Sequence, residues 1–295
     1  MIKSFTCRIL VFSFFYLLLA IQIVAENDFP KIYDSASLKE INFDDISEKL
    51  NHASVLILGE EHDDKKGHTE KLKLIRYLAE RHNIVISMEM FERDQQTILN
   101  EYLAGLIDEK IFQTDLKLWT NYEDYKPIVL LAKENKIQIL AANAPRRYVK
   151  ILARHGLDEL YKFPFRSRKY FAPIYMIEKY RQENYENKIF GSLAGHGKDT
   201  IDLKNMILAQ NLWDATMTDS IVKFLDRKKT KIVHINGRFH SDEYMGISHR
   251  LMQLGIKVVT VSMFVFRSTE TPDPNQFKKF GDIIYLTGTS SPQKE

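Results

Sequence analysis

Two segments repeat one spacing of glycine and histidine, Gly59-Glu60-Glu61-His62 and Gly237-Arg238-Phe239-His240, and each follows directly on an apolar run. Imidazoles and carboxylates brought together from separate segments suit a divalent metal, or supply the acid and base of a hydrolytic step. A third apolar run ends in Met88-Glu89-Met90-Phe91. A carboxylate there is costly unless it is paired, hydrogen-bonded or bound to a cation, so Glu89 requires a partner. Glu60, His62, Glu89 and His240 are therefore the candidate metal set, with Glu60 and Glu89 as the acid–base pair of a hydrolase. Taken singly each residue is weak evidence, because a histidine after a strand is more often a hydrogen-bonded structural residue, and Arg93 or Arg147 is available to pair with Glu89. The recurrence of the spacing is what favours a functional reading.

The segment Ala142-Asn143-Ala144-Pro145-Arg146-Arg147-Tyr148 places proline in the first turn of a helix and two guanidiniums and a phenol just past a strand end. Arginines clamp carboxylates, and a tyrosinate beside cations binds ferric iron. From residue types alone the plainer reading is favoured, in which Arg146 and Arg147 meet solvent or acids and Tyr148 packs.

The elements that would position these residues are legible from periodicity. Short apolar runs at Ser54–Leu58, Ile84–Met90 and Ile137–Ala142 sit among long helical patterns and read as buried parallel strands of βα units. Further strands are expected at Lys231–Ile235, Lys257–Met263 and Asp282–Leu286, with Glu243–Gly255 as a crossover helix. In an open α/β sheet ligands bind outside the carboxyl ends of the strands, where both histidines fall. Between the third and fourth runs the chain has helical spacing only, with Trp213, Met217, Ile221 and Phe224 on one face. The expected fold is α/β, a large mainly parallel sheet flanked by helices with a smaller inserted all-helical subdomain. The core spans about 50–144 and 231–290 and the insert about 145–230. The interleaved Phe, Tyr, Arg and Pro of Lys162–Arg181 read as ordinary core.

Residues 1–25 have two cationic residues, no acid and an apolar run from Ile9 to Ala25, the parts of a secretory signal peptide. The chain is expected to be exported, periplasmic or membrane-associated, with cleavage after Ala25 favoured over retention as an anchor. Cys7 is the only cysteine and precedes the apolar run, so neither a lipoprotein nor disulfides are supported. Without the first 25 residues the net charge falls from +3 to about +1, which gives no general attraction to nucleic acid.

Read in order, the motifs resemble the ChaN-like haem-binding family, part of the wider Tiki/TraB group. They run from Leu58-Gly59-Glu60-Glu61-His62-Asp63 through Met88–Gln96, Trp119 with Tyr122 and Tyr125-Lys126-Pro127, and Ala142–Tyr148. They continue through Gly195-His196-Gly197, Ala209-Gln210, Asp214–Met217 and His234–Asp242 with Gly246-Ile247. The resemblance implies an exported protein of haem or iron uptake that holds ferric haem through tyrosine. It also implies a cofacial haem pair in a homodimer, with partner histidine and lysine at the propionates, and exchange with an outer-membrane haem receptor. Among the tyrosines in matched segments Tyr148 is the first choice for iron, then Tyr125 and Tyr122, with Arg146 and Arg147 beside the haem and His196 as the propionate partner. A phenolate favours ferric high-spin iron and suits carriage rather than electron transfer. The missing cysteine after the apolar run departs from the family's lipoprotein form. The rival reading is a metal-dependent hydrolase or peptidase built on the two Gly-x-x-His segments.

Overall fold

The computed structural model describes residues 29–193, 200–226, 230–267 and 271–288. The chain enters through strand β1 (Lys31–Asp34) and helix α1 (Phe43–Asn51), whose cap Asn42 accepts the backbone N–H groups of Asp44 and Asp45. It then alternates β2 (Val55–Glu60), α2 (Lys65–Arg81) and β3 (Ile84–Glu92). Helices α3 (Gln96–Leu103), α4 (Glu109–Asp115) and α5 (Tyr122–Glu134) lead to β4 (Ile139–Asn143). Next come α6 (Arg146–His155), α7 (Phe165–Arg168), α8 (Ile174–Lys179), α9 (Glu183–Leu193) and the long α10 (Thr200–Leu225). The chain closes with β5 (Lys231–Gly237), α11 (Gly246–Gln253), β6 (Val258–Phe264) and β7 (Ile283–Leu286).

The strands form one sheet in the order β1-β7-β6-β2-β5-β3-β4, parallel throughout except where the edge strand β1 runs antiparallel to β7. Its central strands are buried on both faces, which is why they read as unbroken apolar runs. Successive side chains go to opposite faces: Leu56, Leu58, Ile86, Met88, Val233 and Ile235 join the core under α1–α5, while Val55, Ile57, Val85 and Ile232 join the core under α10 and α11. The expected α/β fold with a helical insertion is the one observed. The helices after β4 share a third apolar cluster, formed by Tyr148, Val149 and Leu152 of α6, Ile174 and Ile177 of α8, and Leu208, Leu212 and Ala215 of α10.

Two expectations need correction. The helix foreseen over Glu243–Gly255 begins only at Gly246, because Glu243 and Tyr244 both take positive φ (60° and 56°) and break the preceding turn. The edge strand β1 was not foreseen; its four residues carry too little pattern to separate from the loop around them. Residues 1–25 and His196 lie outside the described residues. Among the described residues no helix is long and apolar enough to cross a membrane.

Candidate functional site

In the sheet β5 lies between β2 and β3, so the carboxyl ends that carry Glu60, His62, Glu89 and His240 are neighbours. The two glycines permit close approach rather than a turn, since neither has positive φ. A Cβ on Gly59 would lie 2.7 Å from Ser241 Oγ and 3.1 Å from the Arg238 Cα, and one on Gly237 would lie 2.5 Å from His62 Nε2. The ends of β2 and β5 thus press together, with the imidazole of His62 laid over the Gly237 backbone.

Glu60 does not face the crevice. Its buried carboxylate accepts the Tyr125 hydroxyl at 2.5 Å and His62 Nδ1–H at 3.0 Å, and is paired with the buried ammonium of Lys71. Lys71 also donates to His68 Nδ1 at 3.2 Å, and His68 Nε2–H donates to the His62 carbonyl at 3.0 Å. Burial drives the Lys71 ammonium well below its ordinary range and the Tyr125 phenol well above its own. Glu60 is therefore the anchor that fixes the His62 ring. Burial also lowers the His62 imidazole, with Glu89 and Asp63 opposing and His240 adding to the shift, so this ring is held neutral.

Glu89 and His240 come together one strand away. Glu89 Oε2 accepts the Gly237 N–H at 2.8 Å, and Glu89 Oε1 lies 3.5 Å from His240 Nε2. On its other side His240 Nδ1 donates at 2.5 Å to Asp214, a fully buried carboxylate on α10. Burial opposes charge on this imidazole, but Glu89 and Asp214 outweigh it and push the group up to about 9. Asp214 is the participant that sequence reasoning did not assign to the site; among Gln210, Asn211, Thr216, Thr218 and Asp219 on the same helix it carries no distinguishing signal. Gly246 makes the approach possible, because a Cβ there would meet the His240 carbonyl oxygen at 2.4 Å and Asp214 Oδ2 at 3.3 Å.

Glu89 and His240 line a cavity of about 510 Å³ roofed by α6, α9 and α10, with apolar walls that include Trp119, Val149, Ile189, Leu193, Met206 and Trp213. Arg146 and Lys150 project into it from α6, together with Asn143 from the end of β4. Arg146 lies 3.7 Å from Glu92 and 5.6 Å over the Trp119 ring.

The three tyrosines expected to ligate iron, Tyr148, Tyr125 and Tyr122, are all buried. Tyr125 is fully buried in the Glu60 network, and Tyr122 is buried beside Phe112, its phenol raised well above the ordinary range by burial first and by Tyr102 next. Tyr148 is 3% exposed, packed between Phe163 and Phe171, and its hydroxyl accepts from Arg147 at 3.1 Å. Arg147 pairs with Asp94, and its guanidinium lies 5.7 Å over the Tyr170 ring. Just outside Phe171 the surface carries Tyr161, Phe165 and Tyr175, at 53%, 89% and 61% exposure. With Arg168, Lys169 and Lys223 they line a second groove of about 510 Å³. Their exposure was not legible, since an aromatic run reads first as core.

Among the described residues no group of three or more His, Cys, Asp or Glu side chains is arranged to hold a metal ion. His62 and His240 each give Nδ1 to a carboxylate, Glu60 and Asp214 respectively, which fixes the orientation of both rings. A porphyrin is planar, apolar and dianionic at its edge, and the groove of Tyr161, Phe165 and Tyr175 offers exposed rings, phenols and cations without an acidic lining residue.

A family model described as haem-binding uptake, Tiki superfamily, ChaN matches residues 46–251. No curated protein matches the chain. The solved structure of ChaN of Campylobacter jejuni with cofacial haem is similar in fold, with a TM-score of 0.65 at 20% identity over 88% of this chain and 97% of that one. More distant likenesses are a succinoglycan biosynthesis protein (TM-score 0.45, 14% identity, 82% of this chain and 89% of that one) and a toxin effector domain of Vibrio vulnificus (TM-score 0.43, 18% identity, 78% and 37%).

Proposed function

Because the chain belongs to the ChaN family of haem-binding uptake proteins in the Tiki superfamily, we propose that it carries ferric haem on the exposed aromatic face, ligated by a tyrosine where two copies meet. The match over residues 46–251 carries this reading. The face supports it chemically. A ligand to iron needs a phenol oxygen that a macrocycle can reach; the phenols of Tyr161 and Tyr175 are exposed, whereas Tyr122, Tyr125 and Tyr148 are buried. Tyr161 and Tyr175 are accordingly proposed as ligands in place of the three buried tyrosines. Arg168, Lys169 and Lys223 supply positive charge for the propionates. An exposed apolar patch of this kind marks a contact surface, and a haem pair between two copies would cover it. Residues 1–25 are proposed as the export signal, in keeping with uptake outside the cytoplasm.

The test is a titration of the protein with ferric haem, followed by visible spectrum and sedimentation together. A saturable high-spin, tyrosinate-like spectrum with conversion of monomer to dimer is expected, and Tyr161→Phe or Tyr175→Phe removes it while Tyr125→Phe leaves it. No saturable binding would end the haem reading, and unchanged spectra in both exposed-tyrosine variants would end ligation on this face.

A further inference from the structure

The haem reading leaves the strand-end cavity unexplained. Glu89 and His240 line it and Asp214 stands behind His240, with Asp214 to Nδ1 at 2.5 Å and Nε2 to Glu89 at 3.5 Å. All three residues are buried, Asp214 completely, and its Oδ2 has no hydrogen-bond partner. Burying such a line costs stability unless the groups are fully paired, and sites that keep one against that cost are commonly functional. Asp214 orients the imidazole and fixes the proton on Nδ1, and Nε2 faces the cavity wall between Glu89 Oε1 at 3.5 Å and the Gln210 side-chain amide nitrogen at 3.2 Å.

We propose that this cavity is a second site that hydrolyses carboxylic esters of apolar acids without a metal, with Glu89 as general base, His240 as general acid and Asp214 as the positioning residue. The proposal stands independently of the haem reading. The cavity's size, about 510 Å³, suits a small molecule, and its walls of Trp119, Val149, Ile189, Leu193, Met206 and Trp213 suit an acyl chain. In the step, Glu89 takes a proton from water as the water oxygen bonds to the acyl carbon. The tetrahedral intermediate then breaks its bond to the alcohol oxygen, which receives the Nε2 proton of His240. Ester and water become acid and alcohol, and the proton on Glu89 crosses the 3.5 Å to Nε2 to restore the pair. Arg146 and Gln210, both in the cavity wall, carry the N–H donors that the transient oxyanion requires.

The full chain, in the presence of a metal chelator, is assayed with nitrophenyl acetate, butyrate and octanoate. Saturable turnover that improves with acyl length is expected. Glu89→Gln and His240→Asn each lower kcat by about 100-fold or more, the scale of a lost general base or acid. Asp214→Asn lowers kcat and leaves KM unchanged, a split that a merely structural role would not produce. Ala153→Trp fills the cavity from α6 without touching the three polar residues and raises KM by about tenfold, which keeps the test decisive should the polar variants fold poorly. Haem titration is unchanged throughout, so failure of one site is distinguishable from failure of the other. The proposal is overturned by absence of saturable turnover of all three esters, by turnover that survives Glu89→Gln, or by activity that the chelator removes.

Discussion

At the residue scale the informative contrast is between His62 and His240, two imidazoles on the same spacing held in opposite states. His62 rests on Glu60, whose charge is already shared with Lys71 and Tyr125, and burial keeps it neutral. His240 sits between two carboxylates and is held charged up to about 9. Its folded value lies above the ordinary 6.5, so the stabilisation from its protonation is complete below about pH 6.5 and is lost as pH rises through about 9. The melting temperature is therefore expected to fall between these limits, and His240→Gln to flatten that fall. A wild-type profile with no slope there would contradict the assigned charge state. The sequence made His62, His240 and Glu89 visible because each ends an apolar run, where a polar residue needs a reason. It could not reveal that Glu60 turns inward, since its partner Lys71 looks like any lysine of a polar helix. Nor could it join Asp214 to His240, because no spacing rule connects a helix to a strand end 26 residues on.

At the element scale α10 decides whether the molecule is one unit or two. Its residues Leu208, Leu212 and Ala215 belong to the helical cluster, while Met217, Ile221 and Phe224 pack on the sheet. Arg93 from the end of β3 donates to the Thr216 carbonyl and to Ser220 and Asp219 on α10, and the buried Arg250 of α11 ties Asn211 of α10 to the Met176 carbonyl of α8. Periodicity disclosed the helix and its Trp213-Met217-Ile221-Phe224 face. It did not disclose the change of partner along the helix, because the same apolar stripe serves an insert and a sheet equally well. Ile221→Ala, at a fully buried contact with the sheet, is expected to cost about 2–5 kcal/mol. Calorimetry should show one transition moved as a whole; two transitions, only one of them moved, would mean that the helices after β4 fold apart from the sheet.

At the scale of the whole molecule, the buried relay and the exposed aromatic face are carried on opposite sides of α6. That helix turns Arg146, Val149 and Lys150 into the cavity and Tyr148 toward Phe163 and Phe171 beneath the face. On the proposed reading, in which residues 1–25 are removed and haem bridges two copies, a net charge near +1 gives little electrostatic repulsion between them, and the proposed contact includes Phe165, 89% exposed. Phe165 gains almost nothing from folding at that exposure. Phe165→Asp should then leave unfolding free energy within about 0.5 kcal/mol of wild type, as for an ordinary surface change. On the proposed face it would place a carboxylate against a dianionic macrocycle and beside its symmetry mate, where repulsion and desolvation both oppose the pair. Sedimentation with ferric haem is expected to show a folded monomer at haem concentrations that dimerise the wild type. A Phe165→Asp dimer formed at the wild-type haem concentration would place the contact between copies on another surface.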